Sequence, residues 1–193
     1  MTIIAAAIKN GQVAISSDTQ VNFGALQVNS KYLVDKTKLF RVGDSVLGFT
    51  GWSATCQIME HLLASEPELF ELDSRMTIFS TLLKIQHKLK EEYFIDTSED
   101  SDQPVESNQI DGLVINPTGI YQIGSYREVH QYSQFWSIGS GRRYALGAMH
   151  STYDTATSAQ EIAEAGVKAA AEFDDACNLP LHTMVLDLAT NQG

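Results

Sequence analysis

The apolar and polar positions at the start of the chain follow a pattern that is typical of β-strands. Residues 2–8 form an apolar, strand-like run, and Asn10-Gly11 behind it is a strong hairpin turn signal. Residues 12–17 then form a second run of strand length. The chain is therefore predicted to start with a β-hairpin.

A second pair of strands is predicted a little further along. A polar stretch that contains a glycine, residues 18–30, follows the first hairpin. Residues 38–42 and 45–51 are then predicted strands, with a turn at Gly43-Asp44 between them. The first quarter of the chain is therefore expected to be β-structure.

The spacing of the apolar residues changes to a helical period after residue 51. A first helix is predicted over residues 52–65, and Glu66-Pro67 ends it. A second helix is predicted over about residues 77–94. The residues that share one face are Cys56, Met59, Leu62 and Leu63 in the first helix and Ile78, Leu82, Ile85 and Leu89 in the second.

An acidic segment, residues 95–108, follows the two helices. It contains a proline and shows no apolar period, so its default interpretation is a mobile loop. A partner-facing role for its acidic part, residues 96–107, is the alternative interpretation.

The rest of the chain repeats the succession of strands and then helices. A turn is predicted at residues 116–119, and a short helix follows residues 139–141. Ser158-Ala-Gln-Glu161 has capping-box spacing and opens an alanine-rich helix that ends near residue 173 or 176. The predicted strands of this part cover residues 112–115, 121–123, 135–138 and 184–188.

The order of elements is strands, two helices, strands, two helices and a final strand. It has no alternating strand-helix repeat, which would indicate a parallel sheet. The sequence therefore predicts an α+β fold in which an antiparallel sandwich is covered by pairs of helices.

Size and charge narrow the range of functions. The chain has 193 residues, 44% of them apolar, and is most simply one domain over residues 1–193 that can bury a full core. Its 13 basic and 24 acidic residues give a formal net charge of −11. This balance argues against binding to nucleic acid or to an anionic membrane surface.

Targeting and cofactor signals are weak. The first residues lack a basic region, and the chain has no hydrophobic segment of spanning length, so we expect a cytoplasmic protein. The two cysteines, Cys56 and Cys177, have no partner at zinc-site spacing, and both are expected to be reduced. Gly139-Ser140-Gly141 lacks the spacing of a phosphate-binding loop, so no cofactor or metal is expected.

Thr2 is the most informative candidate for chemistry. A threonine directly behind the initiator methionine becomes a nucleophile with its own base, the free α-amino group, once Met1 is removed. Many ordinary proteins begin with Met-Thr, so Thr2 gains meaning only if the rest of the sequence supplies partners for it.

Several motifs of this chain, in order and in approximate spacing, resemble those of proteasome β-type subunits. The part through Gln20 and Gly24 is similar to the bacterial heat-shock peptidase that works with an AAA+ unfoldase, and the central and C-terminal motifs are closer to proteasome β-subunits. The motifs are Thr2-Ile-Ile, Lys9-Asn-Gly11, Ile15-Ser-Ser-Asp18, Lys38-Leu-Phe40, Gly48-Phe-Thr-Gly51, Ile138-Gly-Ser-Gly141 with Tyr144-Ala-Leu-Gly147, and Phe173-Asp174.

The resemblance implies a fold that agrees with the one predicted from the sequence pattern. It is a four-layer αββα sandwich, in which two antiparallel sheets lie between helix layers, as in N-terminal-nucleophile hydrolases. A bacterial proteasome homologue outside the two best-known groups is the preferred assignment.

The resemblance also implies catalytic partners for Thr2. Lys38 would lie beside the Thr2 hydroxyl and help it to lose its proton, and Asp18 would pair with Lys38 and fix its position. The alternatives are a turn residue at a strand end for Asp18 and a solvated lysine for Lys38. The connection between the two is longer than usual in the family, so Lys36 is a conceivable substitute for Lys38.

The remaining implied catalytic positions are a glycine and two polar residues. Gly48 matches the glycine whose N–H stabilises the oxyanion, a donor worth roughly 10²–10³ in rate, although a plain strand glycine is the alternative. Ser140 and Asp174 match residues that organise the amine and a water, with Asp175 as a second candidate for the acid. Cys177 stands where the family has serine, and it is a weaker hydrogen-bonding group.

Substrate contacts are assigned by position in the same way. Val21, Val46 and Thr50 would lie near the pocket for the side chain before the scissile bond. Because this set is mostly apolar and uncharged, it indicates a modest preference for apolar residues.

The leading hypothesis is a threonine-type endopeptidase whose identical subunits form stacked rings and degrade polypeptides, possibly with an AAA+ unfoldase as partner. One alternative is a non-catalytic ring or scaffold subunit of the same fold. The other is a related amidohydrolase that acts on a small molecule. Assembly into rings and turnover of peptides separate these hypotheses.

Overall fold

The computed structural model describes residues 2–34 and 37–189, and their element order confirms the order predicted from the sequence. The strands of the described part are β1 (Ile3–Lys9), β2 (Gln12–Asp18), β3 (Val21–Phe23), β4 (Leu26–Val28), β5 (Leu39–Val42), β6 (Ser45–Gly51), β7 (Ile110–Asn116), β8 (Gly119–Ile123), β9 (Val129–Tyr132), β10 (Phe135–Gly139) and β11 (Leu181–Asp187). The helices of the same part are α1 (Ser53–Ser65), α2 (Arg75–Glu91), α3 (Arg142–Thr152) and α4 (Ala159–Phe173).

The predicted N-terminal hairpin forms the centre of the first sheet. The strand order is β10-β1-β2-β11, and every pair is antiparallel. Asn10 and Gly11 turn the chain with φ angles of 51° and 77°, the left-handed conformation that a two-residue hairpin turn requires. The C-terminal strand β11 starts at Leu181, earlier than predicted, because its first residues pair with the end of β2.

The second sheet is also antiparallel, with the strand order β5-β6-β7-β8-β9. The predicted turn between β5 and β6 is present, and Gly43 within it has a φ of 56°. Strand β9 was not predicted, because its sequence, Val-His-Gln-Tyr, has few apolar residues and gains its place by pairing with β8.

Three layers of buried side chains hold the sheets and helices together. Helices α3 and α4 pack on the first sheet through small residues such as Ala145 and Ala163. Helices α1 and α2 cover the second sheet, and the four predicted stripe residues of α2 are all buried there. Residues such as Ile4 and Leu113 fill the space between the two sheets. The four-layer αββα sandwich of the N-terminal-nucleophile hydrolases is confirmed.

Caps explain where the helices start. Helix α2 begins at Arg75, before the predicted start, because Ser74 accepts a hydrogen bond from the Thr77 N–H and Thr77 reciprocates in a capping box. In α4 the predicted cap is half formed: Ser158 accepts from the Glu161 N–H, whereas the Glu161 carboxylate accepts from the N–H of Thr157. No helix among residues 2–34 and 37–189 is long and apolar enough to cross a membrane.

The polar stretch after β2 contains a small hairpin that was not predicted. Its strands, β3 and β4, are only three residues long, and Phe23 and Leu26 beside its turn are largely exposed. Gln20 and Gln27 both donate side-chain hydrogen bonds to the carbonyl of Asp175, over 3.0 and 2.5 Å. This hairpin therefore depends on a contact with a distant part of the chain, which no local pattern reveals.

Candidate active site

Thr2 lies directly before β1, and the neighbouring strand β10 fixes its peptide group. Ile3 pairs with Gly139, and the Thr2 carbonyl accepts a hydrogen bond of 3.0 Å from the N–H of Ser140. Thr2 is buried, with 7% of its surface exposed. The backbone that carries the candidate nucleophile is therefore held by the fold itself.

Gly139 allows this close contact, and its role was not foreseen. Its φ is +99°, and a Cβ at this position would lie 2.0 Å from the Thr2 carbonyl oxygen. Only glycine fits, because the atom in the way belongs to the backbone and the φ angle is unfavourable for other residues. In the sequence, the Gly-Ser-Gly triplet of the family motif marks this position, but the motif alone does not explain why glycine is needed there.

Asp18 is the centre of the polar network beside Thr2. Its side chain is completely buried at the end of β2. One carboxylate oxygen accepts from the Ile3 N–H at 3.0 Å and from the Lys38 ammonium at 2.7 Å. The other accepts from the N–H groups of Gln20 at 3.1 Å and Asn178 at 3.4 Å. Four donors compensate for the loss of water around this buried carboxylate.

Lys38 is brought to the same place from the other sheet. It directly precedes β5, and 13% of its side chain is exposed. Because Asp18 bonds both the Ile3 amide and the Lys38 ammonium, the lysine lies close to the start of β1. The alternative lysine, Lys36, lies outside the described residues.

Gly48 lies opposite Leu39, the residue after Lys38, in the pairing of β5 and β6. A Cβ on Gly48 would lie 2.8 Å from the end of the Ile4 side chain and 3.1 Å from the Lys38 carbonyl oxygen. The glycine therefore permits a close approach of β6 to Lys38 and β1. This packing reason holds whether or not its N–H also serves as a donor.

Ser140 and Asp174 meet beside the Thr2 carbonyl, which accepts from the Ser140 N–H. The Ser140 hydroxyl donates to the Asp174 carboxylate at 3.2 Å, and the Ala176 N–H donates to the same oxygen at 2.9 Å. Asp175 is exposed and contributes its backbone carbonyl to the β3–β4 hairpin. Of the two candidate acids, Asp174 is the one that the structure joins to Ser140.

Cys177 completes this side of the site. Its sulfur lies 3.8 Å from the Ser140 hydroxyl oxygen, and the residue is buried. Burial, together with the negative charges of Asp18 and Asp174, raises the pKa of the thiol to about 12. Cys177 is therefore a neutral thiol at physiological pH and a weak hydrogen-bonding neighbour for Ser140.

The three residues assigned to substrate contacts lie in different environments. Val46 has no exposed surface and packs in the layer between the two sheets. Val21 is half-buried in β3. Thr50, near the end of β6, borders a cavity of about 470 Å³ beside the β3–β4 hairpin. Val21 and Val46 are not among the described residues that line this cavity.

The chain is similar to known proteins over most of its length. The proteasome subunit family model matches residues 1–185. A structure titled "Thiobacillus denitrificans BPH in complex with Epoxomicin" is 35% identical, with a TM-score of 0.90 and coverage of 98% of this chain and 100% of that chain. A second Thiobacillus denitrificans BPH structure is 34% identical, with a TM-score of 0.91 over the same coverage.

A more distant structure supports the fold alone. Eukaryotic HslV from Trypanosoma brucei is 20% identical, with a TM-score of 0.71 and coverage of 96% of this chain and 99% of that chain. A comparison with curated proteins gives no match. The family match and the structural neighbours confirm the resemblance that the sequence motifs indicate.

Proposed function

Because this chain belongs to the proteasome subunit family, we propose that it is a threonine-type endopeptidase in which Thr2 is the nucleophile after removal of Met1. The proposed catalytic residues are Thr2, Asp18, Lys38, Gly48, Ser140 and Asp174. We further propose that residues 1–193 form one peptidase domain.

The observation that carries this proposal is the shared oxygen of Asp18. A single buried carboxylate oxygen accepts from the Ile3 amide and from the Lys38 ammonium. This arrangement ties a cation from one sheet to the residue next to Thr2 in the other. A structural subunit has no physical need for a buried ion pair at this point, since apolar residues of similar volume are often as stable.

The proposed reaction starts with the release of the Thr2 α-amino group. The free amine has an ordinary pKa of about 8, and the nearby positive charge of Lys38 favours its neutral form, which can accept the proton of the Thr2 hydroxyl. The hydroxyl oxygen attacks the carbonyl carbon of the scissile peptide bond and forms a tetrahedral intermediate. Its collapse gives an acyl ester on Thr2 and releases the amine product, which takes the proton.

Water completes the proposed cycle. With the Thr2 amine again acting as base, a water molecule attacks the ester, and the acid product leaves as the hydroxyl regains its proton. The Gly48 N–H would donate to the oxyanion in both steps, and one such donor is worth roughly 10²–10³ in rate. Ser140 and Asp174 would position the amine and the water.

The proposal also covers the location of the enzyme in the cell and its oligomeric state. We propose a cytoplasmic enzyme whose identical subunits stack in rings and enclose the sites, with an AAA+ unfoldase delivering polypeptides. Val21 and Thr50 would give a modest preference for apolar side chains before the scissile bond, whereas the fully buried Val46 would act through packing alone. The relative from Thiobacillus denitrificans has been solved in complex with epoxomicin, so epoxomicin is a suitable probe for this chain.

The first test concerns Met1 and Thr2 together. We expect the intact mass of the protein purified from its host to lack Met1, the wild type to cleave unstructured peptides and bind epoxomicin, and Thr2→Ala to cleave nothing. Thr2→Ser is the matched control, since it keeps a hydroxyl on the same backbone and should retain activity. Electron microscopy should show the same assembly for all three proteins.

Two results would contradict the proposal. Quantitative retention of Met1 in the native protein would leave the Thr2 nitrogen as an amide, which cannot act as a base. Equal peptide cleavage by wild type and Thr2→Ala would place the activity elsewhere. A ring that assembles without cleaving peptides would favour the scaffold alternative, and turnover of small amides alone would favour an amidohydrolase.

A further inference from the structure

The cavity beside Thr50 carries acidic side chains that the proposed function does not use. It lies between the β3–β4 hairpin, the junction of β6 with α1 and the start of β7, and has a volume of about 470 Å³. That volume is ample for one long amino-acid side chain. Glu99, from the acidic segment after α2, forms part of its wall.

The position of the cavity relates it to the candidate nucleophile. Thr50 borders it and is two residues beyond Gly48 on the same strand. Since a strand rises by about 3.3 Å per residue, the cavity begins roughly 7 Å from Gly48. An extended polypeptide with its scissile carbonyl at Gly48 would bring a side chain about two residues away to the cavity.

The charge of the cavity wall is one-sided. Glu99 and Asp111 line it, and none of the described residues that line it is basic. The buried hydroxyl of Ser107 donates to the Glu99 carboxylate at 2.6 Å, which fixes the acidic segment at this point. Asp111 keeps exposed surface, and partial desolvation, reinforced by the charges of Glu128 and Glu99, raises its pKa, although Arg142 and a backbone hydrogen bond from Ser125 oppose this shift.

At Asp111, desolvation and the negative charges of Glu128 and Glu99 together outweigh the opposing charge of Arg142, so the pKa is raised. The attraction of a cation bound in the cavity would favour the ionised form of this carboxylate. The indole of Trp52, 72% exposed at the cavity, offers an aromatic face of the kind that attracts ammonium and guanidinium groups. The same wall carries the amide of Gln109, which can hydrogen-bond a polar side chain.

We propose that this cavity binds a lysine or arginine side chain of the polypeptide substrate, about two residues from the scissile bond, with Glu99 and Asp111 as its charge partners. The inference rests on the proposed function of Thr2 and adds a specificity site to it. It also gives the acidic segment around Glu99 a role in substrate selection. The modest apolar preference next to the scissile bond is a separate contribution.

The test uses peptide pairs that differ at one position. Each pair has an apolar residue directly before the scissile bond and either lysine or glutamine at one of the other positions within three residues of that bond. Mass spectrometry locates the cut. We expect wild type to prefer the lysine peptide at one position by about tenfold in kcat/KM, because two carboxylates act together and one exposed charge pair gives up to about fivefold. This preference should shrink as salt is added.

Variants of the two carboxylates identify the site. Glu99→Gln and Asp111→Asn should each reduce the lysine preference about threefold, and the double variant should abolish it by lowering kcat/KM for the lysine peptide. Glu99→Gln keeps an oxygen that can accept from Ser107, so the segment stays in place. Asp102→Asn is the matched control, because it removes one charge from the same segment at a residue that is outside the cavity wall.

A binding measurement separates this inference from the proposed function. Fluorescence anisotropy of the labelled peptides on Thr2→Ala reports the lysine preference without any turnover. One outcome supports the specificity site and rejects the peptidase function. In that outcome the wild type does not cleave the peptides, whereas Thr2→Ala binds the lysine peptide more tightly and loses this preference when Glu99→Gln and Asp111→Asn are added. Equal affinity and equal kcat/KM for both peptides at every position, or an unchanged preference in the double variant, would overturn the inference.

Discussion

The two aspartates of the candidate site, Asp18 and Asp174, have the same side chain and very different surroundings. Asp18 is fully buried, accepts four hydrogen bonds and pairs with Lys38 at 2.7 Å. Asp174 is half-buried and accepts from the Ser140 hydroxyl and one backbone N–H, both on the same oxygen. The difference indicates that the Asp18–Lys38 pair is a rigid junction between the two sheets. Near Asp174, the backbone hydrogen bond between Ser140 and Thr2 supplies the rigidity instead.

The largest expected effect is that of Asp18→Asn. It leaves the Lys38 ammonium without its counter-charge at a mostly buried point, so we expect a loss of about 3 kcal/mol in the free energy of unfolding and a loss of peptidase activity. Denaturant titration and peptide cleavage measure both effects. Asp187→Asn, on the exposed part of neighbouring strand β11, should change stability by less than about 0.5 kcal/mol, and equal losses in the two variants would contradict the comparison.

On the Asp174 side, the largest effect is expected from Gly139→Ala. The new methyl group would strike the Thr2 carbonyl oxygen, and the left-handed backbone adds strain, so stability should fall by about 1–3 kcal/mol. Gly147→Ala is the control: this glycine lies within α3 with open space around it, so alanine should raise stability by about 0.5–1 kcal/mol. If thermal unfolding moved equally in both variants, the close approach at Gly139 would be unimportant.

Asp174→Asn should have a smaller effect on stability than Asp18→Asn or Gly139→Ala. An asparagine oxygen can still accept from Ser140, so the loss should be about 1 kcal/mol or less, with a clear fall in kcat as the amine and water lose their positioning charge. Asp175→Asn should alter neither quantity. A stability loss as large as that of Asp18→Asn would show that both carboxylates are structural junctions.

The smallest effect is expected at Cys177. Because its pKa is raised to about 12, the folded protein keeps the thiol proton that the unfolded chain loses above about pH 8.5. The contribution of this thiol to stability is therefore complete below pH 8.5 and declines as the pH rises towards 12. We expect Cys177→Ser to unfold with a weaker pH dependence above pH 9, and iodoacetamide to leave Cys177 unlabelled at pH 8; rapid labelling would contradict its burial.

Short-range patterns predicted most of the fold. The stripe from Ile78 to Leu89 and the Asn10-Gly11 turn each depend on residues a few positions apart, and the structure confirms both. The β3–β4 hairpin escaped prediction because Gln20 and Gln27 are held by a carbonyl about 150 residues further along. Strand β9 escaped because its partner in β8, more than its own composition, determines its conformation.

For the site, the family motifs named the residues but could not give their contacts. The choice between Asp174 and Asp175 needed the geometry of the turn after α4, since the two are adjacent in sequence and identical in chemistry. The acidic segment has no local period, so its link from Ser107 to Glu99 and its position in the cavity wall could not be predicted. Val46 was assigned by position, and only the structure reveals that it is fully buried.

The hydrogen bonds that hold the peptide backbone around Thr2 bear on how the proposed enzyme would become active. The carbonyl of Thr2 is fixed by Ser140, and the next amide is fixed by Asp18. Neither bond involves the nitrogen that cleavage would expose. Maturation in the proposed enzyme is therefore a purely chemical event: one hydrolysed bond turns an amide into an amine at a position that folding has already set.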